Sequence, residues 1–497
     1  MSSEDVTTRR DYLRAVGAAA GLAAIGSAGC ARVAGRFLPA RPPQTPPPAP
    51  QNKATAVPLA RFLNRAGFGP TPAETVRIAS IGADTWLTEQ FAAPKDDADE
   101  TPGLRLRLRN LDVVNFTAYD LRDMPDVAIL AQMQQAAILR ATYSRFPLRE
   151  RMIDFWTNHF NIYARKGFGA SFKAVDHLNV ICREALTTFP ALLKATARSP
   201  AMLAYLDNPS NRSGVANENY ARELMELHTL GVHGGYTQKD VQEVARCLTG
   251  WTIEDRFLHR RGTYRFDETR HDNGAKTVLG TTIPAGGGAS DGERVLQILA
   301  SHPSTARFIA GKMVRYFHGE SKTAEALTAK VAGVYTATHG SISAMLRALL
   351  LGDGAHGISP SLLHAPPLLK RPFDFLVSAL RIVGAETDGG PPLQNHLAQM
   401  GQPLYQWPMP DGYPDSTVAW TGSLLARWNF AAELTGGGIK GTGVPLDSLG
   451  KTNLVPLILP ELPDTDRAPL KKTLAAFADR TAASVGLLLA SPAFQWR

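Results

Sequence analysis

The stretch "YTQKDVQEVARCLTGW", Tyr236 to Trp251, decides the fold class. The Thr237 hydroxyl can accept the backbone N–H three residues on, and the Asp240 carboxylate can return the bond, a reciprocal pair that opens an α-helix. Val241, Val244, Ala245 and Leu248 then recur at helical spacing as one apolar stripe in a polar run. The same signals return elsewhere. "GPTPAETVRIASIG" offers Thr71 as N-cap, Pro72 at the first helical position and Glu74 three residues past the cap. "SHPSTARFIAGKMVRYFHG" and "SLLHAPPLLKRPFDFLVSALRIVG" are further helical runs. Strand signals are confined to "GTYRF" and "KTVLG", which flank "DETRHDNGA" and suggest one small hairpin near residues 262–281. The expectation is a mainly α protein: a single large helical domain over residues 58–497 with a minor β-hairpin.

Ahead of that domain the chain reads differently. "TTRRDYLRAVGAAAGLAAIGSAGC" sets Arg9 and Arg10 before a weakly hydrophobic run, Ala15 to Gly26, too short to span a bilayer but suited to a signal-peptide core. The order from Thr8 to Arg14 resembles a twin-arginine export signal, so residues 1–30 read as a signal peptide and the mature protein as periplasmic or envelope-associated. Cys30 follows Ser27-Ala28-Gly29 and reads either as a lipidated cysteine, attaching the protein to a membrane, or as a residue near ordinary cleavage. Residues 31–57, with "RFLPARPPQTPPPAPQNKA", read as a stiff, proline-rich linker.

Composition narrows the function classes. Hydrophobic residues at 44% and charged residues at 20% of 497 describe a globular chain able to bury a large core. The net charge of +8 is modest, and Arg32, Arg36 and Arg41 of the linker supply part of it, so the folded part is too mildly basic to argue for nucleic acid. Beyond Cys30 only Cys182 and Cys247 remain, which is no disulfide scaffold. HExxH, GxSxG and GxxxxGK[ST] are all missing. The alternating "LRLRLRN" either solvates an amphipathic segment or presents Arg105, Arg107 and Arg109 to an anionic polymer.

The densest chemistry lies in "NENYARELMELHTLG", Asn217 to Gly231. Helix residues rotate about 100° each, so Asn219, Arg222, Glu223 and Glu226 share one face. Tyr220, Ala221, Leu224, Met225 and Leu227 cover the other side, with His228 among them. Glu226 and His228 point apart, and an ExxExH metal site on one unbroken helix fails on geometry. What remains is either a solvated ladder, Glu218–Arg222 and Arg222–Glu226, or a cleft lined by Asn219, Glu223 and Glu226 with Arg222 orienting the acids. In "FPLRERMIDFWTNHFNIY", His159 lies on the face of Leu148, Met152 and Phe155, so it and His228 are both expected inward and could meet. In "FDETRHDNGAKTVLG", Asp267, His271 and Asp272 sit at loop spacing and could converge on an ion, although Asp272-Asn273-Gly274 is also sound turn chemistry. Any metal would be assembled between segments, from His159, His271 and Asp272.

"LNRAGFGPTPAE", "FWTNHF", the long block from "SPAMLAYLDNPSNRSGVANENYARELMELHTLG" to "CLTGW", "HDNGAKTVLG", "KRPFDFLVSALRI" and "GQPLYQWPMPDGYPD" together resemble the bacterial family called domain of unknown function 1800. The resemblance runs in order from residue 58 to near the C-terminus. It implies an exported, largely helical protein, often encoded beside a second exported, sulfatase-like family, domain of unknown function 1501. It carries no established activity or cofactor. Family members often hold an apolar aromatic where this chain has His228, while the polar weight falls on Asn158, His159, Asn217 to Glu226, His271 and Asp272. Two functions are then expected: a hydrolase or lyase acting on an envelope or extracellular polymer, with Glu223, Glu226, His159, Asn219 and Arg222 as catalytic residues, or a non-catalytic accessory protein of the sulfatase-like partner.

Overall fold

In the computed structural model Thr237 caps the helix Gln238–Cys247: its hydroxyl accepts from Asp240 N at 3.2 Å and Asp240 accepts from Thr237 N at 2.9 Å. The structure describes residues 53–95, 100–166, 169–256, 261–449, 454, 457, 472 and 481–497. Arg9, Arg10, Cys30 and the spacer as far as residue 52 lie outside the described residues. The first described helix, Lys53–Ala66, starts ahead of residue 58 and includes Pro58. At Thr71 only half of the expected cap forms. Its hydroxyl accepts from Glu74 N at 3.1 Å, but the Glu74 carboxylate is taken by Arg381 at 2.8 Å, which ties the helix Pro72–Phe91 to the helix Pro372–Ile382.

The chain is mainly helical, and residues Pro48–Arg497 form one compact unit. Two apolar cores organise it, one around Phe62, Trp86, Trp156 and Leu299, the other around Phe68, Leu130, Phe375 and Leu489. Every residue of the helix Pro372–Ile382 is buried, so that segment is the spine of the second core. Among the described residues no helix is long and apolar enough to cross a membrane. Cys182 and Cys247 are separate, buried thiols.

The strand expectation needs correction. "GTYRF" and "KTVLG" do not pair with each other. Tyr264–Phe266 pairs antiparallel with Trp251–Ile253, and Lys276–Val278 folds back onto Thr281–Ile283. A third two-stranded ladder joins Glu386–Thr387 to Thr442–Gly443. The second hairpin turns through Leu279 and Gly280, both at positive φ (48° and 76°), the geometry of a mirror-image two-residue turn. A leucine there hides the turn, because branched side chains rarely take that conformation.

The helix Asn219–Glu223 does not continue as α. It widens into a π-helical turn, Leu224–Thr229, where Leu230 N donates to Met225 O at 2.8 Å and the Thr229 hydroxyl to Leu224 O at 2.7 Å. Such turns recur at functional sites because they re-aim side chains without ending the helix. Tyr220, Ala221, Leu224, Met225 and His228 are buried, while Asn219, Arg222, Glu223, Glu226 and Leu227 stay half-exposed.

Candidate functional site

Three polar side chains hold the segment 401–415 against the rest of the site by its backbone. Asn158 donates to Tyr413 O at 2.9 Å and accepts from Tyr413 N at 2.7 Å. Asn161 donates to Trp407 O at 3.0 Å and Met409 O at 2.6 Å, and the Tyr205 hydroxyl to Pro408 O at 2.8 Å. Gly412 takes φ +78°, and a Cβ there would press on the Asn158 backbone oxygen and lie 2.8 Å from its Oδ1. Asp207 and Tyr405, among the few non-glycine residues at positive φ (61° and 65°), border the same region, where strain of about 1–3 kcal/mol each is sustained by the surrounding bonds.

The clamp delivers Asp411, held by Trp407 Nε1 at 3.1 Å, to the Glu223 neighbourhood. Glu223 is half-buried, and its carboxyl is raised above the usual range by burial, then by the charges of Glu226 and Asp411. Arg222 opposes that shift but does not cancel it; its guanidinium bonds Glu218 at 3.0 Å and Gln238 at 2.9 Å. The expected Glu218–Arg222 pair is present; Arg222 turns from Glu226, whose carboxylate accepts instead from the Tyr236 hydroxyl at 3.3 Å. Burial, then Glu226, raises Tyr236 in turn. Asn219 donates to Leu206 O at 3.2 Å and supports the turn that precedes the helix.

Lys312, on the helix Pro303–His318, completes the group. Burial pushes its ammonium down to about 8, against the pull of Asp415 and Asp411. Beneath it lie the two inward histidines, which do meet: their rings are 6.3 Å apart, and His159 Nε2 donates to the His228 carbonyl at 3.1 Å. Burial, then the Lys312 charge, holds both imidazoles neutral, His228 down to about 3. They are floor rather than surface, packed with Phe160.

His271 and Asp272 are placed elsewhere. His271 Nδ1 donates to Thr249 O at 2.8 Å and Nε2 faces Asp291 at 3.1 Å, an acid that also binds buried Lys276 at 2.5 Å. Asp272 is gripped by Arg246 through both oxygens, at 2.8 and 3.1 Å. Asp267 caps the turn Glu268–Arg270 and pairs with Arg265 at 3.1 Å. The structure thus brings Glu223, Glu226, His159 and Arg222 to one region and assigns buried His271 and partly exposed Asp272 to a separate network. Among the described residues no three His, Cys, Asp or Glu side chains gather as a metal site.

Asp411 and Lys312 were not singled out from sequence. Asp411-Gly412 reads as turn chemistry, and Lys312 as one cation on an amphipathic helix; only the fold makes them neighbours. Chemically, the region sets three carboxylates and a depressed lysine around one half-exposed surface, with the Glu223 carboxyl pushed toward its neutral form, the direction of separation that acid–base catalysis uses.

The family model described as protein of unknown function (DUF1800) matches residues 61–496, and the chain belongs to that family. No curated protein and no solved structure is significantly similar to it.

Proposed function

We propose that this chain is an acid–base enzyme, a hydrolase or lyase acting on a cell-envelope or extracellular polymer, in which Glu223 is the proton donor. One observation carries the reading: Glu223 sits half-exposed between Glu226 and Asp411, with its nearest arginine engaged elsewhere. Burial and like charge favour its protonated form, while Glu226, held by Tyr236, supplies the complementary base. Lys312 offers a second proton carrier near neutrality. Action outside the cytoplasm is inferred from Arg9, Arg10 and the short apolar run after them; attachment through Cys30 belongs to the same inference. The test is complementation of a deletion strain by Glu223→Gln, a change that keeps shape but neither gives nor takes a proton. A folded variant that fails to complement supports the enzyme; one as active as wild type ends it.

A second reading is favoured by an apolar surface. Leu425 (68% exposed) and Trp428 (50%) lie one turn apart on the helix Leu424–Gly436, near exposed Val418. A non-catalytic accessory protein would use such a face to hold a partner such as the co-exported sulfatase-like protein. Trp428→Asp should then abolish co-purification and complementation, with Glu223→Gln harmless to both.

A further inference from the structure

We propose that Lys276 and Asp291 join in an amide bond, a covalent cross-link that the fold itself forms with His271 as proton carrier. The three side chains make a closed contact. Lys276 Nζ stands 2.5 Å from Asp291 Oδ2, and His271 Nε2 is 3.1 Å from that oxygen and 3.5 Å from Nζ. None of the three is more than 1% exposed, so they meet out of reach of bulk water. Burial pushes the neighbouring Cys247 thiol up to about 12, as a dry surrounding does. His271 Nδ1 donates to Thr249 O at 2.8 Å, which turns the Nε2 lone pair toward the two reacting groups.

The reaction starts from amine and carboxylic acid, the uncharged pair that one proton transfer across the 2.5 Å contact produces. The Nζ lone pair attacks Asp291 Cγ, one bond beyond Oδ2, and the N–C bond forms while Oδ1 takes the negative charge. His271 Nε2 accepts a proton from the nitrogen and gives it to the Oδ2 hydroxyl. The C–O bond then breaks, water leaves, and Oδ1 becomes the amide carbonyl. No oxidant or co-reactant is consumed. Holding both groups in contact supplies the proximity that free amines and acids lack in water. An ion pair alone would need only Lys276 and Asp291, yet the surroundings fit the amide as well. The Asp272 carbonyl already accepts from Nζ and would keep the amide N–H. Asp291 Oδ1 lies over Gly287, where a Cβ would come within 2.0 Å of it, and Gly292 is pressed on Trp251, where a Cβ would lie 2.4 Å from the indole. Side chains at those glycines would push the acid away from the lysine. The bond would tie the strand Lys276–Val278 to the helix Ala289–Ser301, between residues 15 apart in sequence. That is the role a disulfide plays in many exported proteins, while Cys182 and Cys247 stay separate thiols.

The cross-link stands independently of the acid–base reading, because neither its residues nor its test involves Glu223. The test is peptide mass mapping of the whole purified protein after unfolding. Trypsin cuts at a free Lys276, so an unlinked chain yields one fragment ending there and another running from Thr277 to Arg294. The linked chain should instead give a single fragment, His271 to Arg294, uncut at Lys276 and lighter by one water. Amine labelling of the unfolded protein should also miss Lys276. An imide at Asp291-Gly292 would lose water too, but would leave Lys276 cleavable and labelled. Lys276→Arg keeps a cation for Asp291 and should show the full mass, with its fold verified by melting temperature. His271→Gln should slow linking by about 100-fold or more in pulse-labelled cells. Wild-type fragments of full mass cut at Lys276, or water lost with Lys276 still cleavable, would overturn the proposal. A His271→Gln chain that links at the wild-type rate would overturn the part given to His271.

Discussion

Two groups of charges in this protein use the same residue types in opposite ways. Around Asp374 acids and arginines are paired. Arg151 and Arg497 reach it, Arg371 engages Asp154, and the Tyr316 hydroxyl donates to Asp154 at 2.9 Å. Burial alone would raise Asp374, but Arg151, Arg497 and Arg371 outweigh it and hold the carboxyl well below the usual range. Around Glu223 burial and the charge of Glu226 act upward together, and Arg222, which acts downward, does not outweigh them. The first arrangement ties helices together; the second keeps a carboxyl ready to release a proton. Imbalance that the fold maintains, rather than charge itself, distinguishes a working site from a structural one.

The comparison predicts its largest effect at Asp374. Asp374→Asn would leave Arg151 and Arg497 as buried cations without their anion, at a cost of about 3–5 kcal/mol. Urea unfolding should show that loss, and wild type should itself weaken as acid protonates Asp374, since a depressed carboxyl stabilises only while ionised. A loss under 1 kcal/mol would put Asp374 in the same class as Glu223.

Next in size is Gly412→Ala. The backbone there is left-handed and the new methyl meets Asn158, so a cost of about 1–3 kcal/mol is expected. Because the change lifts Asp411 from its place, complementation should fall more steeply than thermal stability. Equal losses in both would mean that the 401–415 clamp serves only packing.

His228→Phe tests the floor. Both ring nitrogens of His228 are buried without a hydrogen-bond partner among the described residues, so an apolar ring should gain about 1 kcal/mol. A histidine depressed in the fold keeps its full stability above its ordinary value of 6.5 and loses it as pH falls toward about 3. The variant should therefore resist acid better than wild type between those limits, by thermal melts across the range. An unchanged acid profile would remove His228 from the account.

How much of this was legible in the sequence follows from which forces are local. The full cap at Thr237, the hydroxyl half of the one at Thr71, the apolar stripes and the inward histidines depend on residues a few places apart, and the structure has them. Strand partners and ion-pair partners depend on distant segments. Glu74 left its cap for Arg381, Asp272 found Arg246, and "GTYRF" paired backward in the chain. The π turn was also invisible, because no residue type demands it, and Asp411 could not be matched to Glu223 before the Asn158 clamp was known.

The smallest effect on stability is expected at Glu223 itself, and its sign is the sharpest test of the comparison. A carboxyl raised in the fold contributes its stability below its ordinary value of 4.5 and loses it as pH rises through the folded value. When Glu223 ionises it faces Glu226 and Asp411, and glutamine removes that repulsion while filling the same space. Glu223→Gln should thus melt at or slightly above wild type at neutral pH, by well under about 1 kcal/mol given the half-exposed position. The difference should vanish in acid, where both side chains are neutral. A variant clearly less stable than wild type at neutral pH would mean that the carboxylate is held as Asp374 is held, by favourable partners. Glu223 would then be a structural acid, the proton-donor assignment would fall, and the exposed apolar face at Trp428 would become the better guide to function.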